Sequence, residues 1–348
     1  MGAAMELSLT QALLLAAAGV VVLVLVQGWW SARRATPRRA APDTRSGAGR
    51  VEPALGEAVA APAAAELRAP GPRRSARLDA LIDAIVPMTL EAPVSGEHLL
   101  AHLPSTRRAG SKPLIIEGLD TETGDWQAPA AGRRYGELQA GVQMANRAGA
   151  LNEIEYSEFV QKMQAFADAV GAMPDFPDML DVAARARELD AFASPCDAQL
   201  TVTLKSQQVA WSVGYLQQCA ARHGFVAGAL PGRLVLPAAE DGAPPMLVLG
   251  FDPQAALAED PAAGALRDCL LSMDLAQTPE SAEPYPAWHR TATGLADDLG
   301  AVVVDDQGAP ITLHAFAAIG AEVEQLYRRL ERRDLAAGSA AARRLFSG

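Results

Sequence analysis

An uncharged hydrophobic run near the start of the chain most strongly constrains what this protein can form. The run extends from Leu7 to Ala32 and reads LSLTQALLLAAAGVVVLVLVQGWWSA. A helix needs about 20 mostly apolar residues to cross the hydrocarbon core of a bilayer. Because the run is apolar on every face and ends without a small-residue cleavage site, a transmembrane helix is favoured over a buried core helix or a cleavable signal. We therefore predict a transmembrane anchor at residues 1–32.

The flanks of this run predict its orientation in the membrane. Trp29 and Trp30 lie at its end, where indole rings favour the membrane–water interface, and arginines follow directly. Because basic flanks stay in the cytoplasm, the short N-terminus is expected in the periplasm and the bulk of the chain inside the cell, on the inner membrane. The residues predicted to form the anchor and its border are Leu13, Val22, Leu25, Trp29, Trp30, Arg33 and Arg34.

A basic segment rich in proline and alanine follows the anchor. Residues 31–77 contain ten Arg against four acidic residues, a balance of +6, whereas residues 78–348 have a balance of −16. A segment with almost no large apolar side chains cannot bury enough surface to fold, so residues 33–77 are predicted to be a disordered linker. The acidic balance of the remainder argues against a nucleic-acid partner.

Strand and helix patterns alternate twice in the remainder of the chain. They divide it into a first unit at residues 78–196 and a second unit at residues 197–335, and residues 336–348 are expected to fray. Two successive strand–helix–strand–strand blocks indicate an α+β fold, in which helices cover one face of a mostly antiparallel sheet. Such a sheet often leaves its other face open, and an open face is a natural docking surface for a peptide.

Individual segments predict where the main elements lie. Residues 112–120 are predicted to be a strand, and residues 151–170 a helix with Asn152 as its N-cap. Residues 197–205 alternate apolar and polar side chains, which is typical of a half-buried strand. The apolar spacing over residues 206–224 predicts a helix.

No catalytic, cofactor or metal site is predicted. The sequence lacks a phosphate-binding P-loop, a dinucleotide-binding glycine fingerprint and a nucleophile elbow. His98 and His102 have helical ligand spacing without an evident third ligand, so they are interpreted as a half-exposed helix face. Asp305 and Asp306 follow an apolar strand, which indicates a turn or, as an alternative function, a membrane-anchored cytosolic enzyme that uses these carboxylates. Three cysteines are expected to be small buried residues: Cys196, Cys219 and Cys269.

Two stretches of the chain carry a resemblance to a known family. The anchor ends in QGWWSARR, and the second unit ends in LADDLGAVVVDDQGAPITLHAFAAIGAEVEQLYRRL. Together with the linker, these stretches resemble the ZipA family of bacterial cell-division proteins. The resemblance implies a single-span protein that tethers the FtsZ ring to the inner membrane. It also implies a C-terminal domain whose open sheet face binds the FtsZ C-terminal peptide, with no enzymatic activity and no cofactor.

The same resemblance suggests an internal duplication and a partner-binding face. SGEHLLAHL and GVQMANRAGALNEIEYSEF are similar to segments of the family's domain, so residues 78–205 resemble a diverged copy of it. By strand order, the FtsZ-binding face of the second unit would be lined by Gln199, Thr201, Thr203, Leu230, Met246, Val248, Gly250, Leu270 and Ser272. Several of these residues are polar, which predicts weaker binding than an apolar face would give. A scaffold for another envelope protein is a further hypothesis with the same architecture.

Overall fold

A computed structural model describes residues 77–258 and 265–347. The predicted anchor at residues 1–32 lies outside the described residues, as does the predicted linker except for Arg77. Within the part of the chain that is described, no helix combines the length and the apolarity that a bilayer crossing requires. The described residues form an α+β fold with two six-stranded antiparallel sheets, which confirms the predicted fold class at this level.

The first sheet is built around a long strand whose alternating side chains separate core from surface. The strands up to residue 174 are β1 (Asp83–Ser95), β2 (Arg108–Ala109), β3 (Lys112–Asp120), β4 (Trp126–Gln127), β5 (Arg134–Gln143), β6 (Ala145–Asn146), β7 (Gly149–Ala150) and β8 (Ala172–Pro174). The sheet has the order β2–β3–β5–β1–β8 with β4 paired to β3, and β6 and β7 form a separate hairpin. In β1, Ala84, Val86 and Met88 are buried, whereas Pro87 and Thr89 are exposed.

Three helices pack on one face of the first sheet. They are α1 (Gly96–His102), α2 (Glu153–Val170) and α3 (Met179–Ala193), followed by a 3-10 turn at Ser194–Cys196. Asn152 is the N-cap of α2 and forms a capping box with Glu155, which confirms the predicted N-cap. Phe159 and Phe166 of α2 share one core with Val86 of β1.

The second sheet is formed by residues that follow the 3-10 turn. Its strands are β9 (Gln199–Ser206), β10 (Val226–Ala227), β11 (Arg233–Leu236), β12 (Leu247–Gly250), β13 (Asp268–Asp274) and β14 (Ala301–Val304). They pair in the order β10–β11–β12–β13–β9–β14, and all pairings are antiparallel. The half-buried strand predicted over residues 197–205 is thus confirmed as β9.

The helices that accompany the second sheet pack against its apolar side. They are α4 (Val213–Arg222), α5 (Pro253–Ala256), α6 (Pro284–Leu299) and α7 (Leu313–Glu331), with a 3-10 turn at Glu280–Ala282. Leu216 of α4, Trp288 of α6 and Phe316 of α7 belong to the same core as Leu204 of β9. The helices therefore cover one side of this sheet.

The helix predicted over residues 206–224 begins later than expected. Its first seven residues are not helical, and Ser212 is the N-cap of α4. Trp211 forms a β-bridge with Leu266 and donates its indole N–H to the Leu299 carbonyl oxygen at 2.8 Å. Burial of this tryptophan fixes an extended backbone just before the helix, which the apolar spacing alone could not reveal.

The two sheets share one order of connections. In each sheet, the first strand is followed by a helix and then by two strands, of which the second pairs with the first strand of the sheet. A second helix follows and leads to a last strand, which pairs with the opposite edge of that first strand. The elements β1, α1, β3, β5, α2 and β8 correspond in this way to β9, α4, β12, β13, α6 and β14. These six elements therefore have the same topology in the two units, whereas β2 and β4 of the first sheet and β10 and β11 of the second are arranged differently.

Ion pairs and a long helix join the two sheets. Arg147, between β6 and β7, lies 2.6 Å from carboxylate oxygens of both Asp197 and Asp274. Its hydrogen bond with Asp197 raises the pKa of Arg147 above its ordinary value. Helix α7 contributes Phe316 to the core of the second sheet and Leu330 to the core of the first. The two cores are thus packed against a common element.

The C-terminal residues do not fray, contrary to the expectation for residues 336–348. Ala340–Leu345 form helix α8, and Phe346 is only 1% exposed in the core of the first sheet. Arg344 forms hydrogen bonds of 2.5 and 2.8 Å with the carboxylate of Asp83, which lies 261 residues earlier in the chain. This expectation was wrong because the partners of the tail are distant in sequence.

Removing the buried side chain of Phe346 is expected to destabilise the folded part. Phe346→Ala should lower the free energy of unfolding by about 3–5 kcal/mol, because a large core side chain is replaced by a cavity. The measurement is urea denaturation of the full chain in detergent, followed by circular dichroism. Leu313→Ala is the control, since Leu313 is 80% exposed and should change this free energy by less than about 0.5 kcal/mol. Equal, small effects of both changes would contradict the packing of the tail.

Candidate partner-binding face

Strand register brings six of the predicted partner-binding residues onto one face of the second sheet. They form two cross-strand rows: Val248–Ser272–Thr201 and Gly250–Leu270–Thr203. Residues that pair directly across antiparallel strands point to the same side of a sheet. Each row therefore crosses β12, β13 and β9 on a single face.

The opposite side of the same strands faces the helices. Val202, Leu249 and Leu271 alternate with the two rows and are buried in the core that contains residues of α4, α6 and α7. Leu270, the neighbour of Leu271, remains 44% exposed. The described helices thus leave the face with the two rows exposed to solvent.

A groove of about 480 Å³ lies at the β10–β11–β12 end of this face. Its walls come from loop residues 228–230 and 237–245. Leu230 and Val248, both predicted for the partner-binding face, line it together with Val235. Val235 was not predicted, although it pairs with Val248 and extends the first row toward the edge of the sheet. The alternation of side chains along β11 is the signal that could have identified it.

The other predicted residues do not line the groove. Met246 precedes β12, is half-buried and packs against the core of the second sheet, and it donates its N–H to the Leu236 carbonyl oxygen at 2.9 Å. Gln199 lies at the far corner, where its side-chain amide is 3.4 Å from the carboxylate of Asp274. The residues outside the groove are Gln199, Thr201, Thr203, Met246, Gly250, Leu270 and Ser272. The face therefore consists of an apolar groove beside a flatter, mixed surface.

Charged side chains frame the groove. Arg233 lines it from β11, and Glu240 and Asp241 line it from the loop between β11 and β12. Arg343 of α8 approaches Glu240 to 2.9 Å, so one of the two carboxylates is paired within the chain. Such a groove suits an apolar side chain of a peptide that also carries polar or charged groups.

Gly232, directly before β11, allows the backbone there to lie close to the backbone after β12. Gly232 has a φ of +74°, and a Cβ at this position would lie 2.5 Å from the carbonyl oxygen of Phe251. The Phe251 N–H also donates to the Gly232 carbonyl oxygen at 2.8 Å. A larger residue would force these backbones apart, so the pairing of β11 with the end of β12 depends on glycine here.

The other predicted candidates for chemistry have structural partners. A ring nitrogen of His102 lies 2.8 Å from the His98 carbonyl oxygen on α1. No group of three or more potential metal ligands occurs within residues 77–258 and 265–347. Asp305 accepts hydrogen bonds from the backbone N–H groups of Gln307 and Ala309, as expected for a turn.

All three cysteines are buried, as the sequence predicted. Burial raises the pKa of the Cys196 and Cys269 thiols. A raised pKa lowers the fraction of the reactive thiolate at neutral pH. These side chains therefore act as small core residues.

No family model matches the chain. No curated protein matches it either. The resemblance to the ZipA family therefore depends on the sequence segments quoted above.

Adjacent leucines on β13 test which side of the sheet is exposed. Leu270→Lys should change the free energy of unfolding by less than about 0.5 kcal/mol, because this side chain already contacts solvent. Leu271→Lys should lower it by about 3 kcal/mol or more, since Leu271 is completely buried and its replacement is charged. Both values come from urea denaturation of the full chain. Similar losses for the two variants would show that the face is not open.

Proposed function

We propose that the chain is a non-enzymatic membrane tether that binds the C-terminal peptide of FtsZ on the open face of the second sheet. The observation that carries this proposal is a grooved, solvent-exposed face opposite the helices. The resemblance to the ZipA family supplies the identity of the partner. An inner-membrane anchor at residues 1–32, with a periplasmic N-terminus, belongs to the same proposal.

Burial of apolar side chains would provide most of the binding free energy. Leu230, Val235 and Val248 offer apolar walls, and burial stabilises by roughly 25 cal/mol per Å² of apolar area removed from water. Thr201 and Thr203 contribute hydrogen-bonding groups rather than apolar area. The expected affinity of one peptide is therefore modest, and many tethers along one filament would strengthen attachment through multivalency.

The shared connection order of the two sheets supports an internal duplication. In this proposal, residues 78–196 are a diverged copy of the ZipA-like domain, and residues 197–335 are the copy that binds FtsZ. The groove belongs to the second copy. We therefore assign the FtsZ peptide to β11, β12 and their loops.

Charges placed in the groove are expected to weaken peptide binding. In the full chain, Val248→Glu and Leu230→Glu should each weaken binding of a synthetic FtsZ C-terminal peptide at least tenfold, or about 1.4 kcal/mol, because a carboxylate would be desolvated in the complex. Fluorescence anisotropy of the labelled peptide measures this affinity. Thr89→Glu is the matched control, since Thr89 is exposed on the first sheet and should leave the affinity unchanged.

Two results would contradict the proposal in different ways. If the wild-type chain does not bind the peptide saturably, FtsZ peptide capture is excluded, and another envelope protein becomes the better candidate for a partner. If binding occurs but tolerates both groove substitutions, the peptide binds elsewhere on the chain.

A further inference from the structure

The first sheet also has a face that points away from the helices, but the chain's own residues lie on it. Gly141 of β5 pairs with Ile85 of β1 on one side and Ile115 of β3 on the other. These three residues share one face because they are direct cross-strand neighbours. They alternate with residues such as Val86 and Ala140, which are buried in the core with the helices.

The side chain of Leu78 occupies a notch in this face at Gly141. A Cβ at Gly141 would collide with the Leu78 Cδ2 atom, so the notch exists only because residue 141 is glycine. The backbone N–H of Leu78 donates to a carboxylate oxygen of Glu117 at 3.2 Å. Glu117 is 3% exposed, and its other oxygen accepts a hydrogen bond from Gln139 at 2.9 Å.

The preceding residue, Arg77, is held by Trp126 of the first sheet and by Arg344 of α8. The Arg77 guanidinium donates to the Trp126 carbonyl oxygen at 3.1 Å. The Arg77 carbonyl oxygen accepts a hydrogen bond of 2.8 Å from Arg344, which also pairs with Asp83. The Arg77–Leu78 peptide is thus bound through one apolar side chain, one basic side chain and its backbone, in the manner of a peptide ligand.

A glycine on the open face of the second sheet, Gly250 of β12, has no such neighbour. A Cβ at Gly250 would meet no described atom closer than the Leu270 carbonyl oxygen, at 3.9 Å. Gly250 therefore has free space above it, whereas the space above Gly141 is filled. The two faces both lie opposite their helices, and they differ in whether a side chain of the chain fills the space above the glycine.

We propose that Arg77 and Leu78 form an intramolecular ligand that covers the Gly141 end of this face of the first sheet. This face is a second docking surface for an extended segment with an arginine followed by a leucine, and the chain occupies it itself. The contact occupies this end of the first sheet, whereas the groove of the second sheet stays available to a separate partner. The proposal goes beyond FtsZ binding and does not depend on the identity of that partner.

The first test supplies the same segment as a separate peptide. A fluorescent peptide with the sequence of residues 73–82, RRSARLDALI, is titrated into full-length wild-type and Leu78→Ala protein. The peptide should bind Leu78→Ala at least tenfold more tightly than wild type, because its leucine competes against a weakened intramolecular segment. Protein carrying Leu81→Ala is the matched control and should behave like wild type, since Leu81 is 44% exposed.

Two further variants test whether the peptide binds in the notch at Gly141. The same peptide with Leu78→Ala should not bind saturably, and adding Gly141→Val to the Leu78→Ala protein should abolish binding of the native peptide. Equal affinity of the native peptide for wild type and Leu78→Ala would overturn the proposal, as would the absence of saturable binding to Leu78→Ala. Binding that persists after Gly141→Val would do the same.

A protease measurement tests the intramolecular contact without a peptide. Trypsin cleaves after arginine, and the Arg77–Leu78 bond is accessible only when the segment leaves the sheet, so the cleavage rate reports the open population. Leu78→Ala should increase the appearance of the new N-terminus at residue 78 at least tenfold, measured by mass spectrometry and normalised to the unfolded chain. Leu81→Ala should leave the rate unchanged. An equal rate for wild type and Leu78→Ala would contradict the contact.

Discussion

The two-residue alternation of the central antiparallel strands is the constraint on which the rest of this structure depends. In β9 and β13 it directs Val202, Leu204 and Leu271 into the core and their neighbours toward solvent. Because the helices of the second unit all return to the apolar side, the other side is never needed to close the core. A surface of this kind can bind a peptide without any rearrangement of the fold, since its backbone groups are already paired within the sheet.

The same constraint acts in the first unit with a different outcome. Its sheet has the same order of connections, but the face away from the helices receives Leu78 at a notch formed by Gly141. The C-terminal residues then connect the two units, because Phe346 packs in the core of the first while Arg343 pairs with Glu240 at the rim of the groove. The tail thus reaches the rim of the groove, whose lining residues all belong to the second unit.

Sequence patterns predicted helices and strands well where the residues that determine them are close together in the sequence. The strand at residues 112–120 has the predicted limits, and Asn152 caps its helix as expected. The strand order implied by the family resemblance placed Thr203 and Leu270 on one face, and the two residues do pair across β9 and β13. The errors arose from contacts between distant residues: Trp211 prevents an earlier start of α4, and the buried tail depends on partners in β1. Nearest-neighbour spacing contains no information on such contacts.

The central claim is that the partner binds the exposed face at β11 and β12. Hydrogen–deuterium exchange of the full chain, with and without the FtsZ C-terminal peptide, tests it most directly. The account predicts slower amide exchange in residues 228–236 and 246–250 when the peptide is present, with α4 and α6 unchanged. Protection confined to the helices or to the first unit, or no protection at all, would contradict it.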